Sequence, residues 1–324
     1  MRICIFGAGA IGGWLGAHLA GQGQHVSVIA RGQTLEALQA HGLRLQQASG
    51  LFQVSVQVAE QAAELGVQDL VIVAVKAPAM EAVARGIAPL LGPDTMVLTA
   101  MNGVPWWFLQ GLGDDFAGTT LKSVDATGRI AAAIPARHVI GGVVHASCSL
   151  LSPGFVQHHF GNRLILGEPS GGSSQRVQEL AALLNSAGLG AEVSPHIQRD
   201  TWFKLWGNMT VNPISAITGA TTDQILGDAL VRDFVSRVML EAKEIGARLG
   251  LPIDQQPEDR HAMTLKLGAF KTSMLQDVEA GKPLELDALV TAVRELGMLT
   301  QVPTPFTDGL LGLSRLHARV HGLY

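Results

Sequence analysis

An α/β fold is predicted, with a doubly wound parallel sheet in the N-terminal part and an all-helical C-terminal part. Three observations predict it. The first thirty-one residues read as strand, glycine-rich turn, helix and strand. Short apolar runs then alternate with helical stretches to about residue 195. From His196 onward, helical periods run to the C-terminus. The boundaries drawn from this pattern are 1–195 and 196–324.

The opening unit carries the most information. Ile3, Cys4, Ile5 and Phe6 form an apolar run bounded by glycine, as expected of a buried parallel strand. Gly7, Gly9 and Gly12 follow as G-x-G-x-x-G. In that context the first glycine permits a tight turn, the second lets a pyrophosphate approach the backbone, and the third lets the helix pack on the strand. The helix start offers unpaired N–H groups and a positive dipole end to phosphates. Gly7, Ala8, Gly9, Ala10, Ile11 and Gly12 are therefore the candidate binding turn for a dinucleotide, and residues 1–195 read as a Rossmann-type domain. Val26, Val28 and Ile29 make the second strand, and Arg31 follows where an NAD site places a carboxylate. A guanidinium there suits the 2′-phosphate of NADP. Such a charge-assisted contact is worth roughly 1.5–3 kcal/mol.

Composition narrows the class. The chain has 324 residues, enough for two domains, and is 47% hydrophobic against 15% charged, which fits an enzyme with buried helices and an apolar subunit contact. A formal charge of −4 speaks against a nucleic-acid partner. No apolar window is long enough for a membrane span, and the glycine-broken start does not read as a signal peptide. Two cysteines, Cys4 and Cys148, suggest no disulfide framework and point to a reducing cytoplasm, with Cys4 a core thiol. His158 and His159 alternate across a strand and make a poor metal pair, so no metal is expected.

Further along, Leu35 to Ala40 is expected to be helical, and Gly42 to Val58 to hold a hairpin around Ala48-Ser49-Gly50. Strands are expected over 69–75, ending at Lys76, and over 95–101, ending at Asn102-Gly103. A helix over 78–91 separates them. Ligands of doubly wound sheets lie off the carboxyl ends of strands, so Lys76 and Asn102 are cofactor or substrate candidates. Loop polarity and an Asn-Gly turn explain them equally well. Trp106 and Trp107 read as core, or as a pocket wall. Strands follow over 139–148 and 154–167, a helix over 176–187, and a last strand over 190–195. Helices are expected over 200–211, 223–249, 257–280, 284–301 and 307–323, with Asp200 opening the first and Gly250 closing the second. Leu310, Leu313, Leu316 and Val320 form a stripe suited to core or dimer contact.

A second constellation lies in the first of these helices. Lys204, Asn208 and Asn212 stand at i, i+4 and i+8, on one face, among Trp202, Phe203, Leu205, Trp206 and Met209. A Lys–Asn–Asn stripe in so apolar a helix is costly unless it faces a polar cavity. Pro213 is expected to end or kink the helix just after it.

Together these features resemble the ketopantoate reductase family over nearly the whole chain. The resemblance rests on the glycines at 7, 9 and 12, Arg31, Lys76, Asn102-Gly103, and the K-x-x-x-N-x-x-x-N-P run of Lys204, Asn208, Asn212 and Pro213. Ser273-Met-Leu-Gln-Asp277 and Glu285 complete it. It implies that Lys204 is the general acid, protonating a carbonyl oxygen as hydride reaches C2. It implies that Glu285 holds a substrate hydroxyl and orients the lysine or the nicotinamide ribose. Asn208 and Asn212 would bind substrate oxygens, Ser273 the substrate carboxylate, and Asn102 both cofactor and substrate. The chain departs from the pattern at Thr222, where the family has a further substrate asparagine, and in a longer 104–140 segment.

The expected activity is NADPH-dependent reduction of 2-dehydropantoate (ketopantoate) to pantoate, for pantothenate and coenzyme A synthesis, by a cytoplasmic homodimer. Two rivals remain at this point: a reductase of another bulky 2-oxo acid or imine, and a non-catalytic NADP-binding protein.

Overall fold

The computed structural model describes all residues from 1 to 324. It forms two compact units, Met1–Met101 with Thr127–Asp200, and Asn102–Ala126 with Thr201–Tyr324.

The first unit is built on a ten-stranded sheet. Its strands are β1 (Arg2–Phe6), β2 (His25–Ile29), β3 (Leu43–Gln47), β4 (Gly50–Val54), β5 (Gln57–Ala59), β6 (Leu70–Val73), β7 (Met96–Thr99), β8 (Val139–Ser152), β9 (Phe155–Gly167) and β10 (Gly190–Val193). The order is β4-β3-β9-β8-β7-β6-β1-β2-β5, with β10 also on β9. The run from β8 through β5 is parallel throughout. The pairs β3–β4 and β8–β9 are antiparallel. Ile3, Cys4 and Ile5 in β1, and all four residues of β6, are fully buried, as continuous apolar strands covered on both faces should be. The hairpin around Ala48-Ser49 is present, with Gln47 opposite Gly50. The long β9 pairs first with β3 through Phe155–Gln157 and later with β10 through Arg163–Leu166, which joins the hairpin to the sheet.

Helices α1 (Ala10–Gly21), α2 (Gly32–His41), α3 (Met80–Gly86), α4 (Arg129–Ala133) and α5 (Gln175–Ser186) complete this unit. The helix expected over 78–91 is shorter: α3 lies between two tight turns, Ala77–Ala79 and Ala88–Leu90. Pro78 and Pro89 carry no N–H and sit at the start of those turns.

The second unit holds α7 (Thr222–Gly227), α8 (Ala229–Arg248), α9 (Pro257–Leu265), α10 (Ser273–Glu279), α11 (Ala292–Leu299) and α12 (Pro305–Val320). It also holds most of α6 (Ile197–Thr218). Three expectations about α6 to α8 change. Asp200 does not cap α6, which starts three residues earlier; it sits in the first turn and accepts from Ser194 Oγ at 2.5 Å. Pro213 does not end α6 either, because the helix runs on to Thr218 with Ile214, Ser215 and Ala216 buried. Their packing outweighs the one hydrogen bond that proline removes. The single helix expected over 223–249 is broken at Asp228, whose carboxylate accepts from the amides of Leu230 and Val231 at 3.0 Å and so starts α8. Gly250 does close α8, with φ of 75°. Leu251 N donates to Gly246 O at 2.7 Å, and Gly250 N to Ala247 O at 3.2 Å, as in a Schellman end.

The later helices are also interrupted. The span 257–280 divides into α9 and α10 around Gly268, with φ of 65°, and Thr272 accepts from Leu275 N to open α10. The span 284–301 begins as a π-helical turn, Asp287–Thr291, before α11. The core between α6 and α8 is dense. Trp202, Trp206 and Met209 meet Val235, Val238, Met239 and Ala242, and Trp206 Nε1 donates to Met239 O at 2.7 Å. Residues 102–126 belong here because Glu295 accepts from the amides of Lys122 and Ser123 at 2.7 and 2.9 Å. Phe108 also lies 5.8 Å, ring to ring, from Trp202. Trp106 and Trp107 are buried. Thr222, at the departure from the family pattern, is buried and donates to Gly268 O at 2.9 Å, tying the 268 loop to α7. The stripe on α12 divides: Leu310 is core, while Leu313 and Leu316 are 62% exposed and Val320 73%. No helix is long and apolar enough to cross a membrane.

Candidate active site

In the first unit, the turn between β1 and α1 depends on its glycines for three different reasons. Gly7 has φ of +106°, and a Cβ there would stand 2.6 Å from Val75 Cγ1. A Cβ on Gly12 would stand 2.0 Å from the Gly7 carbonyl oxygen, so α1 could not approach the turn with any larger residue. Gly9 differs. Its φ is −73°, and the nearest atom to a Cβ there is Ala74 O at 3.9 Å. Nothing in the protein requires a glycine at 9. The bare backbone there opens beside the start of α1, where no side chain caps the first-turn N–H groups. That is the cradle a pyrophosphate needs, and Ala8, Ala10 and Ile11, all partly exposed, border it. The residues present therefore fit a dinucleotide.

Arg31 lies two residues past the end of β2, is exposed, and is the N-cap of α2 without a side-chain cap bond. Its guanidinium pairs with no carboxylate and is available to a phosphate. Lys76 lies three residues past the end of β6, not at the strand end as the sequence suggested, and is exposed at the N-cap of the Ala77–Ala79 turn.

In the second unit, the α6 face holds the other candidate residues. Lys204 Nζ donates to Asn102 Oδ1 at 2.8 Å. Asn102 is held in place by its neighbour: Gly103, with φ of +82°, lies so close to the π-helical turn that a Cβ would stand 2.6 Å from Ala288 O. Val104 N donates to that same oxygen at 2.8 Å. The close contact explains the Asn-Gly pair better than a free turn does. Lys204 is half-buried, and burial pulls its ammonium down from 10.5 to about 8. The Glu285 carboxylate opposes that shift, and the Arg260 guanidinium adds to it. Glu285 itself is 5% exposed, on the segment that leads into the π-helical turn.

Asn208 and Asn212 continue the face. Asn208 is half-buried and Asn212 is 7% exposed, yet neither amide hydrogen-bonds within the protein. Amides so placed are costly unless they meet a polar ligand. The structure thus brings together Asn102, Lys204 and the field of Glu285, with Asn208 and Asn212 on the same helical face. Ser273 is the exposed first residue of α10, with no hydrogen bond of its own side chain.

Sequence reading missed Arg260. It lies on α9 in a charged stretch, Glu258-Asp259-Arg260-His261, that reads as solvated surface. The available sign was Gly207, a glycine in the middle of an otherwise strong helix, which marks a close approach. A Cβ on Gly207 would stand 2.6 Å from Arg260 Nε.

Comparison with known proteins bears on this arrangement. Residues 3–171 match the family described as ketopantoate reductase PanE/ApbA, and residues 196–318 match its C-terminal part. The 2-dehydropantoate 2-reductase of Mesorhizobium japonicum is 46% identical over 325 aligned residues, covering 100% of both chains. A putative ketopantoate reductase from Ralstonia solanacearum MolK2 superposes with a TM-score of 0.97 at 59% identity, covering 100% of this chain and 99% of that one. The 2-dehydropantoate 2-reductase of Methylococcus capsulatus gives 0.82 at 30% identity, covering 99% and 98%.

The contrast between the glycines makes a test. Gly9→Ala should leave stability within about 0.5 kcal/mol of the parent, the usual range for an unstrained surface site. It should weaken NADPH binding about tenfold or more, through the added methyl at the pyrophosphate cradle. Arg31→Ala should weaken NADPH and leave NADH nearly unchanged. Calorimetric titration of both nucleotides, with a thermal melt, reads all of this. Equal losses for NADPH and NADH in Arg31→Ala would remove the 2′-phosphate argument.

Proposed function

The chain belongs to the ketopantoate reductase family, and on that premise we propose that it reduces 2-dehydropantoate to pantoate with NADPH. The observation that carries the reading is the Lys204 ammonium, half-buried, lowered to about 8 and held by Asn102.

When bound, the nicotinamide supplies the hydride that adds to C2 of the ketone. This chain's residues do the rest. The ammonium of Lys204 hydrogen-bonds the carbonyl oxygen, stabilises the negative charge that develops there, and gives it a proton. Hydride and proton together make the hydroxyl of pantoate, and the lysine is left neutral. A lysine with an ordinary pKa would hold its proton too firmly for this at neutral pH, and burial corrects that. Asn102 fixes the ammonium's direction, so little orientation is lost in the transition state. Glu285 keeps the lysine charged enough to serve as an acid and accepts from a substrate hydroxyl. Asn208 and Asn212 supply amide donors and acceptors to the remaining substrate oxygens. Ser273 would reach the substrate carboxylate. On the cofactor side, residues 7–12 cradle the pyrophosphate and Arg31 takes the 2′-phosphate. Lys76 and Asn102 contact the cofactor. The boundaries 1–195 and 196–324 remain our functional division into cofactor and substrate domains.

The product would serve pantothenate and coenzyme A synthesis. Cytoplasmic residence is supported by Cys4 and Cys148, both free thiols. A homodimer is supported by the outward row of Leu313, Leu316 and Val320 on α12, an apolar surface that a monomer would leave in water.

Lys204→Ala should lower kcat for ketopantoate by about 10²–10⁴, followed as NADPH oxidation. In the parent, kcat/KM should fall as pH rises through about 8, because only the ammonium form is active. That limb should vanish in Lys204→Ala. If the variant turns over ketopantoate as fast as the parent, Lys204 is not the acid. A panel of branched 2-oxo acids tests the substrate. Light scattering should give twice the 34.1 kDa chain mass, and Leu316→Glu should return it to one. A parent already at one chain mass would rule out the dimer.

A further inference from the structure

Arg260 has no assigned role, yet it is built into the α6 face. Its guanidinium lies 5.2 Å from the centre of the Phe203 ring. It also lies against Gly207, where a Cβ would stand 2.6 Å from Nε and 2.8 Å from Nη2. Phe203 and Gly207 flank Lys204 on the helix, one before it and three after, so Arg260 is seated one helical turn from the proposed acid. The two cations are close enough for Arg260 to depress the lysine.

What Arg260 lacks is a counter-charge. The part-buried Arg176 is met by Glu168, whereas no carboxylate pairs with Arg260, and its Nε–H is shut from solvent with no acceptor. Burial alone sets its shift, which is downward. A half-buried guanidinium without a partner is expensive unless something anionic arrives. The charges that act on Lys204 agree. Glu285 brings one negative charge and Arg260 a positive one, so with the lysine the cluster carries a net positive charge. A monoanion would neutralise it. Gly207 and Phe203 pack against the guanidinium, and a guanidinium's planar set of N–H donors suits a carboxylate.

We infer that Arg260 is the anchor for the carboxylate of the 2-oxo acid and selects acids over neutral ketones. The inference rests on the reductase reading above and names the group that recognises its substrate class. A 2-oxo acid has its carboxylate on the carbon next to the ketone. Gripping that end with Arg260 delivers the ketone oxygen to the neighbouring Lys204. Ser273 is then a secondary contact, in keeping with its exposed place at the start of α10.

The test compares an acid with its neutral counterpart. Ketopantoate and ketopantoyl lactone are titrated by calorimetry into the full-length enzyme loaded with NADP⁺, so binding is read without turnover. The parent should prefer the acid. Arg260→Met should weaken ketopantoate by about 10–100-fold, the range of one charge-assisted contact, and the lactone by less than about threefold. Arg260→Lys, which keeps the charge but loses the planar donor set, should fall between. Gly207→Ala keeps Arg260 and displaces its guanidinium, and should also weaken the acid selectively. Parallel losses for acid and lactone would make Arg260 a structural residue and overturn the inference, as would no loss for either. A parent that binds ketopantoate through Arg260 but does not oxidise NADPH with it would support the anchor while removing the proposed reaction.

Discussion

The proposed chemistry depends on keeping a lysine ammonium partly out of water without leaving it unmatched. Lys204 sits on a helix whose other faces are packed by Trp202, Trp206 and Met209, so the helix cannot turn to release it. Two effects compete at the amine. Burial, joined by the Arg260 guanidinium, disfavours the charge, and the Glu285 carboxylate favours it. Burial wins, which is why the group falls to about 8 rather than rising. Without Glu285, the same burial would pull it lower still. The Asn102 carbonyl adds direction to this balance, and Asn102 is itself fixed by a glycine pressed against Ala288.

The glycine turn of the first unit shows the same economy in another form. Gly7 answers a backbone angle, and Gly12 answers a contact within the protein. Gly9 answers neither, which is what an approach by a ligand from outside the chain would call for. Reading three glycines of one motif by what a methyl would meet separates folding requirements from binding requirements.

Much of this was legible from the residues. Buried strands such as β1 and β6 are continuous apolar runs, and the turn glycines have a fixed spacing, so the N-terminal sheet declared itself. The Lys204–Asn208–Asn212 face was visible because polar residues at helical spacing contrast sharply with tryptophans. Helix ends in the second half were less legible. Asp228 starts a new helix inside a periodic stretch, and Pro213 fails to stop one, because in both places tertiary packing decides what local preference leaves balanced. Thr222 and Arg260 were opaque for a different reason. Their partners, Gly268 and Gly207, are 46 and 53 residues away, and nothing in either local stretch points across that distance.

The most direct test is a titration of the lysine itself. With the Lys204 side chain resolved by carbon-13 NMR, assigned by its loss in Lys204→Arg, the ammonium should titrate with a midpoint near 8. A midpoint at the ordinary 10.5 would mean the group is solvated, and the account of Lys204 as the buried acid would fail.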